Sequence, residues 1–343
     1  MTGSGVLFWA EVARGGVSAN SLELLALGRR LADARGGEVS ALLSGAGRSA
    51  HQVAETLIRR GADRVFTTGG DDGNGQCIIA DEMLTALSAA AGRVAPAVIL
   101  LPHSDCGTEL APRLACRLDS AAAMGCVDAE VDGTDAVFIR PCYGGKAHAR
   151  VRVRASPAIA TIQPKAFRVP DADTGRSGKV VALEPDEPAG TPRVRIVVQR
   201  LSEEEQGPRL DDAEIVVTGG RGMGGPEGFR MLEALAEMLG GAVGASRPAC
   251  DLGWYPRSHQ VGLSGRTVAP ELYLAVGVSG AQHHMAGCGN SKVLVAVNND
   301  PGAEIFTQAH IGVVADGTVF VPALVQALHD RAERTRGTPA SSV

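Results

Sequence analysis

Aromatic residues are scarce, 3% of the 343-residue chain, so the cores must be built from Ala, Val and Leu, whose small size lets helices and sheets approach closely. The seven cysteines (Cys77, Cys106, Cys116, Cys126, Cys142, Cys250, Cys288) are an odd number, and none forms a C-x-x-C pair. That disfavours a disulfide framework, a zinc knuckle or a cysteine-ligated cluster, and most of the cysteines are expected to be buried small hydrophobes in a reducing cytoplasm. No apolar run approaches the ~18 residues needed to cross a bilayer. The start, MTGSGVLFWAEV, lacks the basic and long apolar regions of a signal peptide. Positive charge is not in excess either: 33 Lys+Arg against 38 Asp+Glu give a formal −5, so neither nucleic acid nor an anionic membrane is an expected partner. No repeat of solenoid period stands out.

What is present is alternation. The length favours two domains, since cores usually split beyond roughly 250–300 residues. GVLFWAE, EVSALLSG, RVFTT and AVILLP read as strands. Between them lie helical segments: one opening at Ser21 and ending near Gly36-Gly37, one over 51–60, and IIADEMLTALSAAAG. AVILLP is a continuous apolar run of the kind buried parallel strands show. After about 120 the chain becomes β-rich, and HARVRVR (148–154) alternates strictly, placing Arg150, Arg152 and Arg154 on one strand face; a solvated face is the favoured reading over an anion-binding stripe. EPDEPAGTPRVRIVVQRLSEEEQGPRLDD marks a linker, with RVRIVV as a possible strand inside it. The expected architecture is α/β in two domains, 1–205 and 206–343, each a mainly parallel doubly wound sheet.

In the second half EIVVTGG, AVGASR, LYLAVG, VLVAVN and IGVVAD read as strands, and PEGFRMLEALAEML and VPALVQALHDRA as helices. Every one of these strands ends in small or polar residues: Gly219-Gly220-Arg221, Ser246-Arg247, Gly277-Val278-Ser279-Gly280, Asn298 and Asp316. Ligands of open α/β sheets bind outside the carboxyl ends of the strands, where glycines admit a bulky anion and helix starts offer N–H groups. One glycine at a strand end serves only to turn the chain; five such ends together point to a ligand crevice.

Rival chemistries fare worse. A nucleophile elbow needs G-x-S-x-G, and both Gly277-Val278-Ser279-Gly280 and Gly262-Leu263-Ser264-Gly265 misplace the second glycine. The adjacent His283 and His284 point about 100° apart on a helix and cannot readily share a metal. Their bland readings are a surface residue for His283 and a satisfied core histidine for His284. A flavin- or nicotinamide-dependent oxidoreductase acting alone would need a general acid or base, and no carboxylate–histidine pairing suggests one.

The stretch GRG…GASR…QVGLSGRTVAPELY…GVSGAQHHMAG…AVNNDPGAEIF…GVVAD resembles, from about 219 to 328, the FAD-binding domain of the electron transfer flavoprotein alpha subunit. LLPHSDCGTELAPRLACRL and RPCYGGKAHARVRV…PAIATIQPKAF resemble, more loosely, that family's first domain, which is nucleotide-hydrolase-like and makes partner contacts. The resemblance implies a Rossmann-like C-terminal domain that holds FAD. By it, Arg221 and Ser246 match contacts to the diphosphate and flavin, and Arg247 an arginine against the flavin ring. Val261-Gly262-Leu263-Ser264 matches V-G-Q-T, whose hydroxyl bonds flavin N5. The run Ser279, Gly280, Ala281, Gln282, His283, His284 matches S-G-A-I-Q-H, which wraps the pyrophosphate and brings His284 near flavin C2=O. Asn298 and Asp316 match residues holding the adenosine end. Three changes stand out: Leu263 for Gln, Ser264 for Thr, and Gln282-His283 for Ile-Gln. The resemblance further implies a heterodimer with a beta subunit, which commonly holds AMP or a second flavin. Electrons would come from flavin dehydrogenases and go to a quinone oxidoreductase or another acceptor. Reduction builds negative charge over N1 and C2=O, which Arg247, always charged, and His284, able to respond to pH, are suited to stabilise.

Overall fold

The computed structural model describes residues 3–336 except 14–15, 44–49, 69–79, 134, 144, 146, 184–209 and 211–212. It divides into two compact units, Met1–Leu201 and Ser202–Val343. The expected boundary near 205, the possible strand RVRIVV and the last seven residues of the tail lie outside the described residues.

In the first unit β1 (Val6–Ala10) is followed by a small antiparallel ladder of β2 (Val12–Ala13) and β3 (Gly16–Val17), then α1 (Ala19–Arg35). Next come β4 (Val39–Leu43), α2 (Ala50–Arg59), β5 (Arg64–Thr68), α3 (Ala80–Val94), β6 (Val98–Pro102) and α4 (Asp105–Arg117). After them stand β7 (Ala122–Cys126), β8 (Asp128–Asp132), β9 (Asp135–Cys142), β10 (Ala147–Arg152), β11 (Ala158–Ile162) and β12 (Lys179–Leu183). Seven strands form one parallel sheet in the order β12-β5-β4-β1-β6-β11-β7. The apolar runs follow from this: in β1, Val6, Phe8 and Ala10 feed one core while Leu7 and Trp9 feed the other, so neither face can be polar.

Two details differ from the sequence reading. Helix α1 begins at Ala19 rather than Ser21, because Ser18 is the cap and accepts the Ser21 amide at 3.2 Å. Ser21 is buried inside the first turn, where its hydroxyl accepts the Glu11 amide at 2.9 Å. The β-rich segment also adds an antiparallel sheet, β10-β9-β8, beside the parallel one. On it Arg150 pairs with Glu130, and Arg152 with Asp132 and Asp135, all partly exposed. The arginine stripe is therefore a solvated, charge-neutralised face, and Arg154 lies beyond the end of the strand.

The second unit holds β13 (Ile215–Gly219), α5 (Pro226–Leu239), β14 (Ala242–Ala245), α6 (Arg247–Asp251), β15 (Leu272–Val276), α7 (Gln282–Cys288), β16 (Val293–Asn298), β17 (Ile311–Val314) and α8 (Gly317–Arg336). Helix α5 starts on Pro226 and stops at Gly240, which takes the left-handed conformation at φ 66°. Its five-stranded sheet is parallel throughout, in the order β14-β13-β15-β16-β17. Alternate residues again serve two cores: Val216, Tyr273, Ala275 and Ala296 on one face, Val217, Leu274, Val276 and Val297 on the other. The chain steps outward from β13 to β14 and then returns to the other side of β13 as β15. The strand order reverses there, which makes the carboxyl ends of β13 and β15 the natural mouth of a crevice.

Candidate functional site

A ladder of contacts ties the carboxyl ends of the five strands into one edge. The Ser246 amide donates to the Gly219 carbonyl at 2.9 Å, Gly220 N–H to Val276 at 2.9 Å, and Gly222 N–H to Gly277 at 3.0 Å. Gly277 N–H reaches Val297 at 2.8 Å, and Ala315 N–H reaches Asn298 at 3.1 Å. A segment after α6 closes the other side: Val261 N–H donates to Ala245 at 2.9 Å, and Leu263 N–H donates to His283 at 2.7 Å. The candidate cofactor residues read from the second half of the sequence lie along this edge or on the loops joined to it.

Several of these glycines are required by local packing. A Cβ on Gly220 would sit 2.1 Å from the Gly277 carbonyl oxygen, and one on Gly262 2.8 Å from that of His283. Gly277 itself has φ +64° and touches Gly222. The loops after β13 and β15 thus cross backbone to backbone, which side chains would forbid. The glycines shape the crevice by packing its walls together.

The polar residues fall into three states. Some are already engaged. Asn298 donates through Nδ2 to the Val278 carbonyl at 2.9 Å and accepts the Asp300 amide at 3.0 Å through Oδ1, so it braces the loop that carries Ser279. Asp316 caps the start of α8 by accepting the Thr318 amide at 2.8 Å and hydroxyl at 2.7 Å, which lowers its carboxyl pKa. The Ser264 hydroxyl accepts from Gln260 at 3.1 Å. Others stand in solvent: Arg221, Leu263, Ser279, Ala281, Gln282 and His283 are exposed, and Gly280 packs under Ile305. Arg247 is exposed too, its Nε 3.3 Å from Asp251, whose second oxygen takes Arg257 at 2.6 Å.

The third state is the informative one. Ser246 and His284 are 6% and 8% exposed, yet the Ser246 hydroxyl and His284 Nδ1 are buried with no well-formed partner among the described residues. Orphaned buried polar atoms are costly, about 1–3 kcal/mol each; the Ser246 hydroxyl is one, whereas the His284 ring is eased in part by the Val261 backbone. His284 Nε2 lies 2.9 Å from the Tyr273 hydroxyl. Burial drives the imidazole pKa down to about 4, offset only in part by the Val261 backbone. In the chain itself His284 is thus neutral near pH 7 and acts as a polar donor or acceptor. Sequence reading missed Tyr273, taking it as one apolar member of a strand, although a buried phenol always needs a partner.

Other chemistries lose ground here. The nearest imidazole to Ser279 in sequence is exposed and the next is bound to Tyr273, so no nucleophile–base pair forms. No cluster of three metal-ligating side chains occurs among the described residues. No helix among them is long and apolar enough to cross a membrane. The edge of the first unit's large sheet has polar residues of its own. Glu11 accepts from the Ser104 hydroxyl at 2.6 Å, and Thr161 Oγ1 lies 2.8 Å from His103 Nδ1 while accepting the Gly125 amide at 2.8 Å. These groups satisfy one another.

The model of the electron transfer flavoprotein domain matches residues 6–188, and that of the electron transfer flavoprotein FAD-binding domain matches residues 209–289. The chain is 37% identical to the electron transfer flavoprotein subunit alpha of Bacillus subtilis, over 94% of this chain and 97% of that one. With its namesake from Thermoanaerobacterium thermosaccharolyticum it shares 35% identity, over 94% and 96%. With the protein FixB of Clostridium saccharobutylicum it shares 34%, over 94% and 95%. The second unit therefore carries an FAD-binding domain, and the chain belongs to the electron transfer flavoprotein alpha-subunit family.

Proposed function

We propose that this chain is the FAD-holding half of a cytoplasmic electron carrier, its division falling near 205 and its cofactor lying along the carboxyl edge of β14, β13, β15, β16 and β17. FAD supplies the one-electron redox chemistry. The protein's part is to bind, orient and tune it. Main-chain amides at 279–282 and the side chain of Arg221 would hold the diphosphate. Arg247 and Ser264 would address the ring, with Val261, Gly262 and Leu263 forming the wall between them, and His284 would supply a neutral donor. Asn298 and Asp316 shape the adenosine end through the loops they brace, because their own polar atoms are largely committed. The observation that carries this reading is the buried, orphaned Ser246 hydroxyl just past the carboxyl end of β14.

Leu263, on the segment after α6, is 68% exposed and open to cover. A beta subunit completing the pocket supplies it in this proposal, and that subunit would hold AMP or a second flavin. Electrons would arrive from flavin dehydrogenases and leave to a quinone oxidoreductase or a similar acceptor, with no small substrate turned over by the chain itself. The test is anaerobic. A dehydrogenase with its substrate should bleach the flavin of the purified heterodimer, and an added quinone oxidoreductase should restore the colour. Turnover of a small molecule by the heterodimer alone would instead mark a stand-alone oxidoreductase.

A further inference from the structure

Tyr273 is the one tyrosine whose whole side chain is buried in the second unit's sheet, at 0% exposure, and its hydroxyl lies 2.9 Å from His284 Nε2. Burial raises the phenol pKa well above its ordinary value, so the oxygen keeps its proton. That proton must point at an acceptor. Thr218 and Cys288 flank the phenol, but Cys288 is a weak acceptor whose thiol donates to the His284 carbonyl at 3.6 Å. A neutral imidazole nitrogen is the best acceptor of the three.

We infer that Tyr273 is a positioning residue: its hydroxyl donates to His284 Nε2 and fixes the ring as the Nδ1–H tautomer, so that the N–H shared with the Val261 backbone is a donor, not a lone pair, toward a bound cofactor. The inference rests on the crevice being the FAD site, but the tautomer is a property of this chain's own residues. A neutral imidazole carries one ring proton, and which nitrogen bears it is set by the hydrogen bond the other makes. With Nε2 accepting from the phenol, the proton can only sit on Nδ1, the atom left without a well-formed partner. The Val261 backbone beside the ring favours protonation, as a nearby carbonyl facing an N–H does. The opposite tautomer would turn Nδ1 into a lone pair and so repel any electron-rich ligand atom brought to it.

The test uses the full chain purified with its partner subunit, ring-¹⁵N-labelled in histidine, at neutral pH, both FAD-loaded and stripped of FAD. The His284 signals are assigned by their loss in His284→Gln. The expected spectrum has a protonated, pyrrole-type Nδ1 and a pyridine-type Nε2 in both forms, and Tyr273→Phe mixes the two tautomers. A proton on Nε2 in the unmutated protein overturns the inference, as does an unchanged tautomer in Tyr273→Phe. If Tyr273→Phe does not fold, the unmutated spectrum alone still decides. A stripped protein that refuses FAD yet shows the Nδ1–H ring would refute the cofactor site and leave the tautomer assignment standing.

Discussion

The Gly222 amide and the Gly277 carbonyl meet at 3.0 Å, joining the loops that follow β13 and β15 through main chain alone. Gly220 beside them leaves no room for a methyl group, with the Gly277 oxygen 2.1 Å from where its Cβ would be. Gly220→Ala should therefore cost at least about 3 kcal/mol, because rigid backbone must separate. Gly224→Ala is the comparison: φ is +76° but nothing lies within 4 Å, so only the left-handed strain of about 1–2 kcal/mol applies. Urea unfolding of the two variants measures the difference.

Asn298 spans the gap between β16 and the loop at Val278. Asn298→Asp replaces the donor with an oxygen facing the Val278 carbonyl. A loss of about 2 kcal/mol is expected, together with faster FAD release, since the loop carrying Ser279 loses its brace. Thermal unfolding and flavin fluorescence on dilution report the two effects. Full FAD retention alongside lowered stability would remove the loop from cofactor binding.

Arg247 and Asp251 form a pair of opposite sign beside the site, with Asp251 shared by Arg257. Reduction adds negative charge, so Arg247→Ala should lower the flavin potential and Asp251→Asn should raise it. Each shift is expected to be on the order of 60 mV, a tenfold change in a one-electron equilibrium, with FAD content largely unchanged. A spectroelectrochemical titration measures both; shifts of the same sign would contradict the electrostatic account.

Glu23 is 5% exposed in α1, and burial lifts its pKa to about 7 against the backbone groups of 165–167, which lower it. The folded value lies above the unfolded 4.5. The unfolded chain therefore ionises this carboxyl first, and stability falls as pH rises from about 4.5 to about 7. Glu23→Gln should remove that slope, improving relative to the unmutated chain by on the order of 2–3 kcal/mol between pH 4.5 and 8. Denaturant titrations across that range would show parallel curves if Glu23 were not responsible.

Leu263, which the sequence reading sets against the Gln of V-G-Q-T, is exposed. Leu263→Gln should change stability by less than about 0.5 kcal/mol while shifting the flavin spectrum of the heterodimer, as the proposed placement of this segment against the flavin requires.

The alternation of buried runs and glycine-marked turns made most of the strands and helices legible, since parallel strands buried on both faces cannot be mistaken for surface. Of the antiparallel sheet of β8 to β10, only β10 was legible, through the alternation of HARVRVR; β8 is half exposed and carries Asp and Glu in place of an apolar run. The candidate residues could be placed along one edge from sequence, but their states could not. Nothing in the letters shows that Asn298 is spent on Val278, or that the glycines oppose one another. His284 illustrates the limit best. Its partner Tyr273 lies eleven positions away on a strand, and only the fold brings the two rings together.

The account is tested most directly by the FAD content of the chain co-purified with its partner subunit. It predicts a yellow complex that retains FAD through gel filtration, and loses it readily in a Ser246→Val, His284→Leu double variant that still folds. A colourless complex that takes up no FAD when it is supplied would contradict it.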